Sequence, residues 1–256
     1  MELFFRKVGQ GPPLIVLHGV FGASENWLTI ARQLGDAYTV YLLDLRNHGR
    51  SPHTEEMTYP AMAGDVLEFI QNHRLKGAAL MGHSMGGKVA MWLAMQHPQV
   101  ISRLIVVDIA PKKYPAFHPD ILEGLQSLDL RKIRRREEAD AHLARFIPEA
   151  RIRQFLLKNL IRDKQRQFQW RIHLKAILEN MPHILDWPEK PGTFEKPTLF
   201  IRGENSNYIL SEDFACIRNQ FPRAYFVTIH QATHWVHVDQ PTVFLQAVLY
   251  FLNATR

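Results

Sequence analysis

The chain has 256 residues, of which 46% are hydrophobic and 22% are charged. This composition suits one large α/β domain with a sizeable buried core. We predict neither a membrane span nor a signal peptide, because no stretch is apolar over the required length. The single cysteine, Cys216, excludes an internal disulfide. We predict that it is a buried structural thiol in a cytoplasmic protein.

The net charge of +6 is distributed unevenly along the chain. Residues 131–175 contain 14 lysines and arginines against five acidic residues. A solvated helical face would account for this excess, and so would attraction of an anionic partner such as a CoA-linked substrate. No zinc-finger, ribonucleoprotein or helix-turn-helix signature accompanies the basic residues, so we do not predict binding to nucleic acid.

The first hundred residues alternate between short apolar runs and helix-like segments. We predict strands at 3–5, 14–17, 39–43, 78–81 and 104–107, and helices at 24–34, 59–72 and 85–97. After a long interruption the alternation resumes, with strands at 198–201 and 225–229 and helices near 211–220 and 241–252. Apolar strands that alternate with helices indicate a mostly parallel sheet covered on both faces.

The interruption lies between residues 112 and 190, where we predict no strand. Helix-like segments cover about 119–127, 137–146, 149–161 and 165–180. We therefore predict one α/β core, formed by residues 1–111 and 191–256, with a helical insertion at 112–190.

A G-x-S-x-G pattern, Gly82-His83-Ser84-Met85-Gly86, separates the predicted strand at 78–81 from the helix that follows. In this context the serine lies on a sharp strand-to-helix turn, which the flanking glycines permit. The turn exposes the hydroxyl at a helix N-terminus, where partial positive charge favours a developing anion. We predict that Ser84 is a nucleophile.

A serine hydroxyl is a poor nucleophile unless a base removes its proton. His234 lies between the last predicted strand and the last helix. Loops at the carboxyl ends of parallel strands meet at one edge of a sheet, where Ser84 also lies. We predict that His234 is the base, with His237 as the alternative, and that His83 lines the pocket.

The base needs a carboxylate that orients its ring and stabilises the charged form. Asp108 directly follows the strand at 104–107, whereas the loop at 203–207 contains no aspartate. We predict that Asp108 is the acid, with the longer Glu204 as the alternative. Asp44 also ends a strand, but it precedes the nucleophile, and we interpret it as a structural turn residue.

The oxyanion of acyl transfer needs preorganised N–H donors. One is the backbone N–H of Met85, directly after the nucleophile, and the other comes from an earlier strand-end loop. The loop His18–Gly22 follows the strand at 14–17. We predict that Phe21 supplies the second donor and that His18 braces the loop.

Taken in order, these motifs together with Asp44–Ser51 and Thr233–His237 resemble the α/β-hydrolase superfamily. Arg46–Gly49, Val106–Pro111 and the loop containing Ser206 are similar to small bacterial serine esterases of the YbfF type. The resemblance implies an α/β-hydrolase fold with a helical lid at 112–190 and hydrolysis of carboxylic esters or acyl thioesters. It also places the acid at Asp108, with Ser206 hydrogen-bonded near His234.

We therefore predict a serine hydrolase acting on a small-molecule ester or thioester, including acyl-CoA, with no metal or organic cofactor. Further residues expected at the pocket are aromatic or polar: Tyr114, Phe155, Trp170, Ser206 and Trp235. A carbon–carbon bond hydrolase or a cofactor-free perhydrolase would use the same triad. A ligand-binding protein that retains the fold is the non-enzyme alternative. A dehalogenase would need an aspartate in place of Ser84.

Overall fold

The structure is a computed structural model that describes residues 1–115, 119–188 and 192–255. The strands of the described residues are β1 Phe5–Val8, β2 Pro13–Leu17, β3 Thr39–Leu43, β4 Ala78–His83, β5 Ile101–Val107, β6 Leu160–Arg162, β7 Phe168–Trp170, β8 Thr198–Gly203 and β9 Ala224–Ile229. The α-helices are α1 Leu28–Leu34, α2 Tyr59–Asn72, α3 Met85–Gln96, α4 Pro119–Ser127, α5 Arg136–Leu143, α6 Ala150–Leu157, α7 Leu174–Glu179, α8 Met181–Leu185, α9 Asp213–Gln220, α10 Val236–Asp239 and α11 Pro241–Ala254. A 3-10 helix, Ser24–Trp27, precedes α1.

The main sheet has seven strands in the order β1-β3-β2-β4-β5-β8-β9. Only β1 is antiparallel to its neighbour, and all other pairs are parallel. Every residue of β3 and β4 is buried, as expected for central strands covered on both faces. The predicted, mostly parallel sheet flanked by helices is confirmed. The first strand covers Phe5–Val8 instead of 3–5, because these residues pair with β3.

Helices cover both faces of the sheet. On one face, α1 and α11 pack against apolar side chains of β2, β3 and β8. On the other face, α2 and α3 pack against each other and against the opposite side chains of the same sheet. Burial of this apolar surface is the main stabilising contribution, at about 25 cal/mol per Å². The strand ends that carry the predicted site therefore belong to a rigid platform.

The segment between β5 and β8, here called the insertion (residues 112–190), contains α4 to α8 and a two-stranded sheet, β6–β7. The prediction that it contains no strand is wrong, and so are continuous helices over 149–161 and 165–180. The Asp163 carboxylate accepts the Gln167 N–H at 2.8 Å, and Arg166 has a φ of 64°. This turn folds the chain back into a hairpin. The predicted boundary at 190 and 191 lies outside the described residues.

Cys216 is exposed on α9, so the prediction of a buried thiol is wrong. The reason is that α9 buries only Ile217, one position further along, and turns Cys216 towards solvent. Of the helices in the described ranges, none is both long and apolar enough to cross a membrane.

Candidate active site

Ser84 lies on the sharp turn between β4 and α3, with a backbone φ of 53° and ψ of −123°. Such a conformation stores roughly 1–3 kcal/mol in a residue with a side chain. Its neighbours leave no space for a Cβ atom: one on Gly82 would lie 2.1 Å from the Gly86 carbonyl oxygen, and one on Gly86 would lie 2.5 Å from the His18 carbonyl oxygen. The two glycines therefore permit the turn that presents the Ser84 hydroxyl.

The structure brings Asp108 and His234 together. The His234 Nδ1–H donates to Asp108 Oδ2 at 2.7 Å. Asp108 is fully buried, whereas the His234 side chain retains 20% of its exposure. Because Nδ1 carries the proton in this bond, Nε2 of a neutral ring is left as an acceptor. A histidine held in this way can remove a proton from a hydroxyl.

The remaining bonds to the Asp108 carboxylate come from the β8 side of the sheet. Its Oδ1 accepts the Gly203 N–H at 3.0 Å, and its Oδ2 also accepts the Ser206 hydroxyl. These donors compensate for the loss of hydration that burial of a carboxylate entails. The Ser206 hydroxyl thus bonds to Asp108, and Asp108 in turn bonds to His234.

Glu204, the alternative acid, lies elsewhere. Its carboxylate accepts the Gln231 N–H at 3.0 Å and pairs with His230 Nδ1 at 2.6 Å. The bond from the Gln231 N–H, followed by the one from His230, holds the pKa of Glu204 below its ordinary value. The structure therefore engages this carboxylate with His230, and not with His234.

Two further histidines lie beside His234. The His83 Nε2–H donates to the His234 carbonyl at 2.9 Å, and the His237 ring stacks on Trp27 with 3.9 Å between centroids. Burial lowers the pKa of both rings, that of His237 to about 3. Both rings line the cavity that contains Ser84 and are neutral at ordinary pH.

Asp44 and His18 hold the neighbouring loops. The Asp44 carboxylate accepts the Ser24 N–H at 2.6 Å and the Arg50 N–H at 2.9 Å. The His18 Nδ1–H donates to the Gly19 carbonyl at 2.8 Å, and its Nε2 accepts the Leu45 N–H at 3.0 Å. Burial lowers the pKa of His18, which favours this neutral bonding pattern. Both side chains tie loops together, as the sequence indicated.

The predicted second oxyanion donor has another partner. The Phe21 N–H donates to His48 Nε2 at 3.2 Å, so it points at that ring. Val20, the preceding residue, lines the same cavity as Ser84. Within the described part of the chain, the N–H groups of Val20 and Met85 have no hydrogen-bond acceptor. For Met85 this follows from its place at the start of α3, where N–H groups lack intrahelical partners.

The cavity above Ser84 has a volume of about 190 Å³. Its walls combine the His18–Gly22 loop and His234 with apolar side chains of the insertion: Ile121, Ile152, Phe155 and Leu156. Tyr208 stacks on His234 with 3.9 Å between centroids. Sequence reasoning identified Phe155 but missed Tyr208, which follows no motif.

A wider groove of about 640 Å³ adjoins this cavity. Both are lined by His234, Trp235 and Tyr208, whereas Tyr114, Ser206 and Arg151 line the groove and not the cavity of about 190 Å³. Trp170, expected at the pocket wall, instead lines a separate groove of the insertion with Leu125 and Leu174. The β6–β7 hairpin carries Trp170 there. Among the described residues, no group of His, Cys, Asp and Glu side chains has the arrangement of a metal site.

Comparison with known proteins gives consistent matches. A family model described as the alpha/beta hydrolase fold matches residues 12–241. The sn-1-specific diacylglycerol lipase ABHD11 of Xenopus laevis is 42% identical over 252 residues, covering 95% of this chain and 80% of the relative. The esterase YbfF of Escherichia coli (strain K12) is 34% identical over 242 residues, covering 94% of this chain and 93% of the relative.

Solved structures agree with these sequence matches. A marine microorganism esterase superposes with a TM-score of 0.95 at 43% identity, covering 98% of this chain and 99% of that chain. An E-2-(acetamidomethylene)succinate hydrolase superposes with a TM-score of 0.78 at 21% identity, covering 98% and 95% of the two chains. At that identity the second similarity concerns the fold alone.

Proposed function

The chain belongs to the α/β hydrolase family as an esterase/lipase-type enzyme, and we propose that it cleaves carboxylic esters through an acyl-enzyme at Ser84. The family match confirms the resemblance that the sequence motifs indicated. The observation that supports the mechanism is the 2.7 Å bond from His234 Nδ1–H to the buried Asp108, at a cavity that Ser84 and His234 line together.

In the proposed reaction, Ser84 Oγ attacks the ester carbonyl carbon while His234 Nε2 takes the hydroxyl proton. Asp108 stabilises the resulting imidazolium and keeps its ring oriented. The tetrahedral intermediate then collapses, and the departing alkoxide receives the proton from His234. A water molecule, deprotonated by His234, attacks the acyl-serine and releases the carboxylic acid and the free Ser84 hydroxyl.

The negative charge on the carbonyl oxygen needs N–H donors during both steps. We assign one to Met85. For the second we replace the sequence-based choice, Phe21, with Val20, because the Phe21 N–H already donates to His48. Loss of one oxyanion donor typically lowers kcat about 10²–10³-fold.

The insertion is proposed to act as a lid over this chemistry. Its Ile121, Ile152 and Leu156 line the cavity of about 190 Å³, which suits an apolar acyl group. The adjoining groove of about 640 Å³, lined by Tyr114, Arg151 and Trp235, leaves room for a larger alcohol portion. Small-molecule esters with an apolar acyl group are the proposed substrates.

An acyl thioester, including acyl-CoA, is the second candidate substrate. Arg151, half-exposed at the groove, is a basic residue of the insertion that faces this site. Since it pairs with Asp239 at 2.6 Å, a phosphate would have to displace that carboxylate. Hydrolysis of short acyl-CoA that slows with added salt would support attraction of the CoA phosphates by basic residues, and salt-independent hydrolysis would contradict that attraction. Absence of hydrolysis would contradict the candidate itself. The predicted cytoplasmic location remains part of the proposal.

Covalent labelling tests the nucleophile directly. A fluorophosphonate probe is expected to label the wild-type protein at Ser84 and to leave Ser84→Ala unlabelled. Ser127→Ala, which alters an exposed serine of the insertion, is the matched control and should label like the wild type. Rates with an ester, with a 1,3-diketone and with an ester plus hydrogen peroxide then separate ester hydrolysis from carbon–carbon bond hydrolysis and perhydrolysis. A wild-type protein that does not label would overturn the proposal and favour a ligand-binding role.

A further inference from the structure

The oxyanion loop contains a residue in an unfavourable conformation. Phe21 has a φ of 61° in the left-handed region that residues with a Cβ rarely adopt, and it is 2% exposed. A backbone held there persists only where its surroundings impose it. The peptide groups on either side of Phe21 therefore need fixed partners.

The partner of the Phe21 N–H comes from the core. His48 is fully buried, and its Nδ1–H donates to the Arg46 carbonyl at 2.8 Å. This bond fixes the tautomer, so Nε2 is the acceptor for Phe21. Burial also lowers the pKa of His48 to about 3, so the ring accepts this bond throughout the neutral range.

The partner of the Phe21 carbonyl comes from the insertion. Asn159 stands between α6 and β6 and is 1% exposed. Its Nδ2 donates to the Phe21 carbonyl at 2.7 Å. Its Oδ1 is buried and has no hydrogen-bond partner among the described residues. A half-satisfied amide costs stability in a buried place, so stability of the insertion alone does not account for an asparagine here.

We infer that Asn159 is a positioning residue of the active site: together with His48 it clamps Phe21, and this clamp holds the Val20 N–H towards the oxyanion. The inference rests on the proposed function. It gives the insertion a part in forming the oxyanion site, because the donor to the Phe21 carbonyl arrives only when the insertion is seated on the core. Asn159 does not touch the reacting atoms and acts through the loop.

A second asparagine of the insertion provides a matched control. The Asn180 Nδ2 donates to the Glu55 carbonyl of the core at 2.8 Å. It therefore also ties the insertion to the core by a side-chain amide, but its hydrogen bonds to the described residues go to none of those that line the cavity of about 190 Å³ above Ser84. A general loosening of the insertion would follow from either substitution, whereas a misplaced oxyanion donor would follow only from loss of Asn159.

The test compares Asn159→Ala with Asn180→Ala in steady-state hydrolysis of a short p-nitrophenyl ester. For N159A we expect kcat to fall about 10–100-fold with KM within threefold of the wild type, since small misplacements of a donor act on the transition state. Affinity for a trifluoromethyl ketone, which forms a tetrahedral adduct, should fall by a similar factor. For N180A we expect kcat within about twofold of the wild type, because the Asn180 amide does not hold the oxyanion loop and its loss misplaces no donor.

Unchanged kcat in N159A, or an equal loss in N180A, would overturn the inference. If N159A does not fold, Asn159→Leu keeps the approximate size of the side chain and removes the donor without burying a charge, and the same loss of kcat is expected. Failure of both variants to fold also counts against it, because a positioning residue is not needed for folding. A wild-type protein that resists the fluorophosphonate probe would instead overturn the proposed function, so the two failures are distinguishable.

Discussion

At the scale of single residues, Asp108 connects two strands of the sheet with the base. It follows β5 with a φ of 51°, and its N–H donates to the Ile201 carbonyl of β8 at 2.8 Å. This position directs the carboxylate to His234 while Gly203 and Ser206 donate to it from β8 and the loop beyond. In the proposed triad, the acid therefore follows one strand, and its supporting donors lie at the end of the next strand and in the loop beyond it.

We expect Asp108→Asn to lower kcat by about 10⁴-fold, because the amide favours the wrong tautomer of His234. Glu204→Gln, which changes the alternative carboxylate in the same isosteric way, should leave kcat within about twofold of the wild type because that carboxylate is engaged with His230. Initial rates with a p-nitrophenyl ester measure both. A larger loss of kcat in Glu204→Gln than in Asp108→Asn would instead assign the role of triad acid to Glu204.

Sequence reasoning works best for residues whose position follows from topology. Ser84, Asp108 and His234 each follow a strand of a parallel sheet, so chain order alone brings them to one edge. The oxyanion donor is different. Whether the N–H of Val20 or Phe21 faces the substrate depends on a bond to His48, 27 residues further along the chain, and no local pattern encodes that contact.

At the scale of elements, the turn between β4 and α3 is the tightest junction of the site. Gly87, the first glycine beyond the pentapeptide, also packs closely, since a Cβ there would lie 2.5 Å from the Ile109 side chain. At Gly86 the obstruction is backbone, the carbonyls of Leu17 and His18, which cannot move aside without displacing the oxyanion loop. The close contact at Gly86 therefore links the position of the end of β2 to the position of the nucleophile turn.

We expect Gly86→Ala to destabilise the fold by about 1–3 kcal/mol through overpacking and to reduce esterase activity with it. Gly64→Ala in α2 is the matched control, because a Cβ there meets nothing within 4 Å and alanine is favoured in a helix by about 1 kcal/mol. Urea denaturation followed by far-UV circular dichroism measures both. A G86A protein as stable as G64A would contradict the account of the turn.

Elements of the insertion were harder to predict than those of the core. Apolar residues such as Phe155, Leu156 and Leu160 follow a helical spacing, yet α6 ends at Leu157 and β6 begins at Leu160. The hairpin depends on the Asp163 turn and on pairing with β7, a tertiary preference that periodicity does not contain. In the core, by contrast, alternation of strand and helix repeats often enough to determine the topology.

At the scale of the whole molecule, charged side chains hold the insertion on the core. Arg171 pairs with Glu25 at 2.5 Å and Arg151 pairs with Asp239 at 2.6 Å, each joining the insertion to a short helix of the core. Several other basic residues of 131–175 pair within the insertion itself: Arg131 with Asp129, Arg135 with Glu138, Arg153 with Asp140. Part of the basic excess is thus used in internal pairing.

Lys88 makes the most buried of these attachments. It belongs to α3, just beyond the nucleophile turn, and is 1% exposed. Its Nζ donates to the carbonyls of Leu185 and Asp186, at 3.0 and 2.8 Å, where α8 ends. It also lies 4.8 Å from the centroid of the Tyr114 ring. Burial lowers the pKa of Lys88 from 10.5 to about 7, while the Asp186 carboxylate acts in the opposite direction.

This attachment makes the stability of the molecule depend on pH. Between pH 7 and 10.5 the unfolded chain keeps the Lys88 proton that the folded protein releases, so the contribution of Lys88 to the free energy of unfolding rises with pH. From pH 7 to 9 we expect a gain of about 2 kcal/mol for the wild type relative to Lys88→Met. Lys76→Met changes an exposed lysine. Its free energy of unfolding should differ from that of the wild type by the same amount at pH 7 and at pH 9. Urea denaturation measures all three proteins, and a pH-independent gap between wild type and K88M would contradict the prediction.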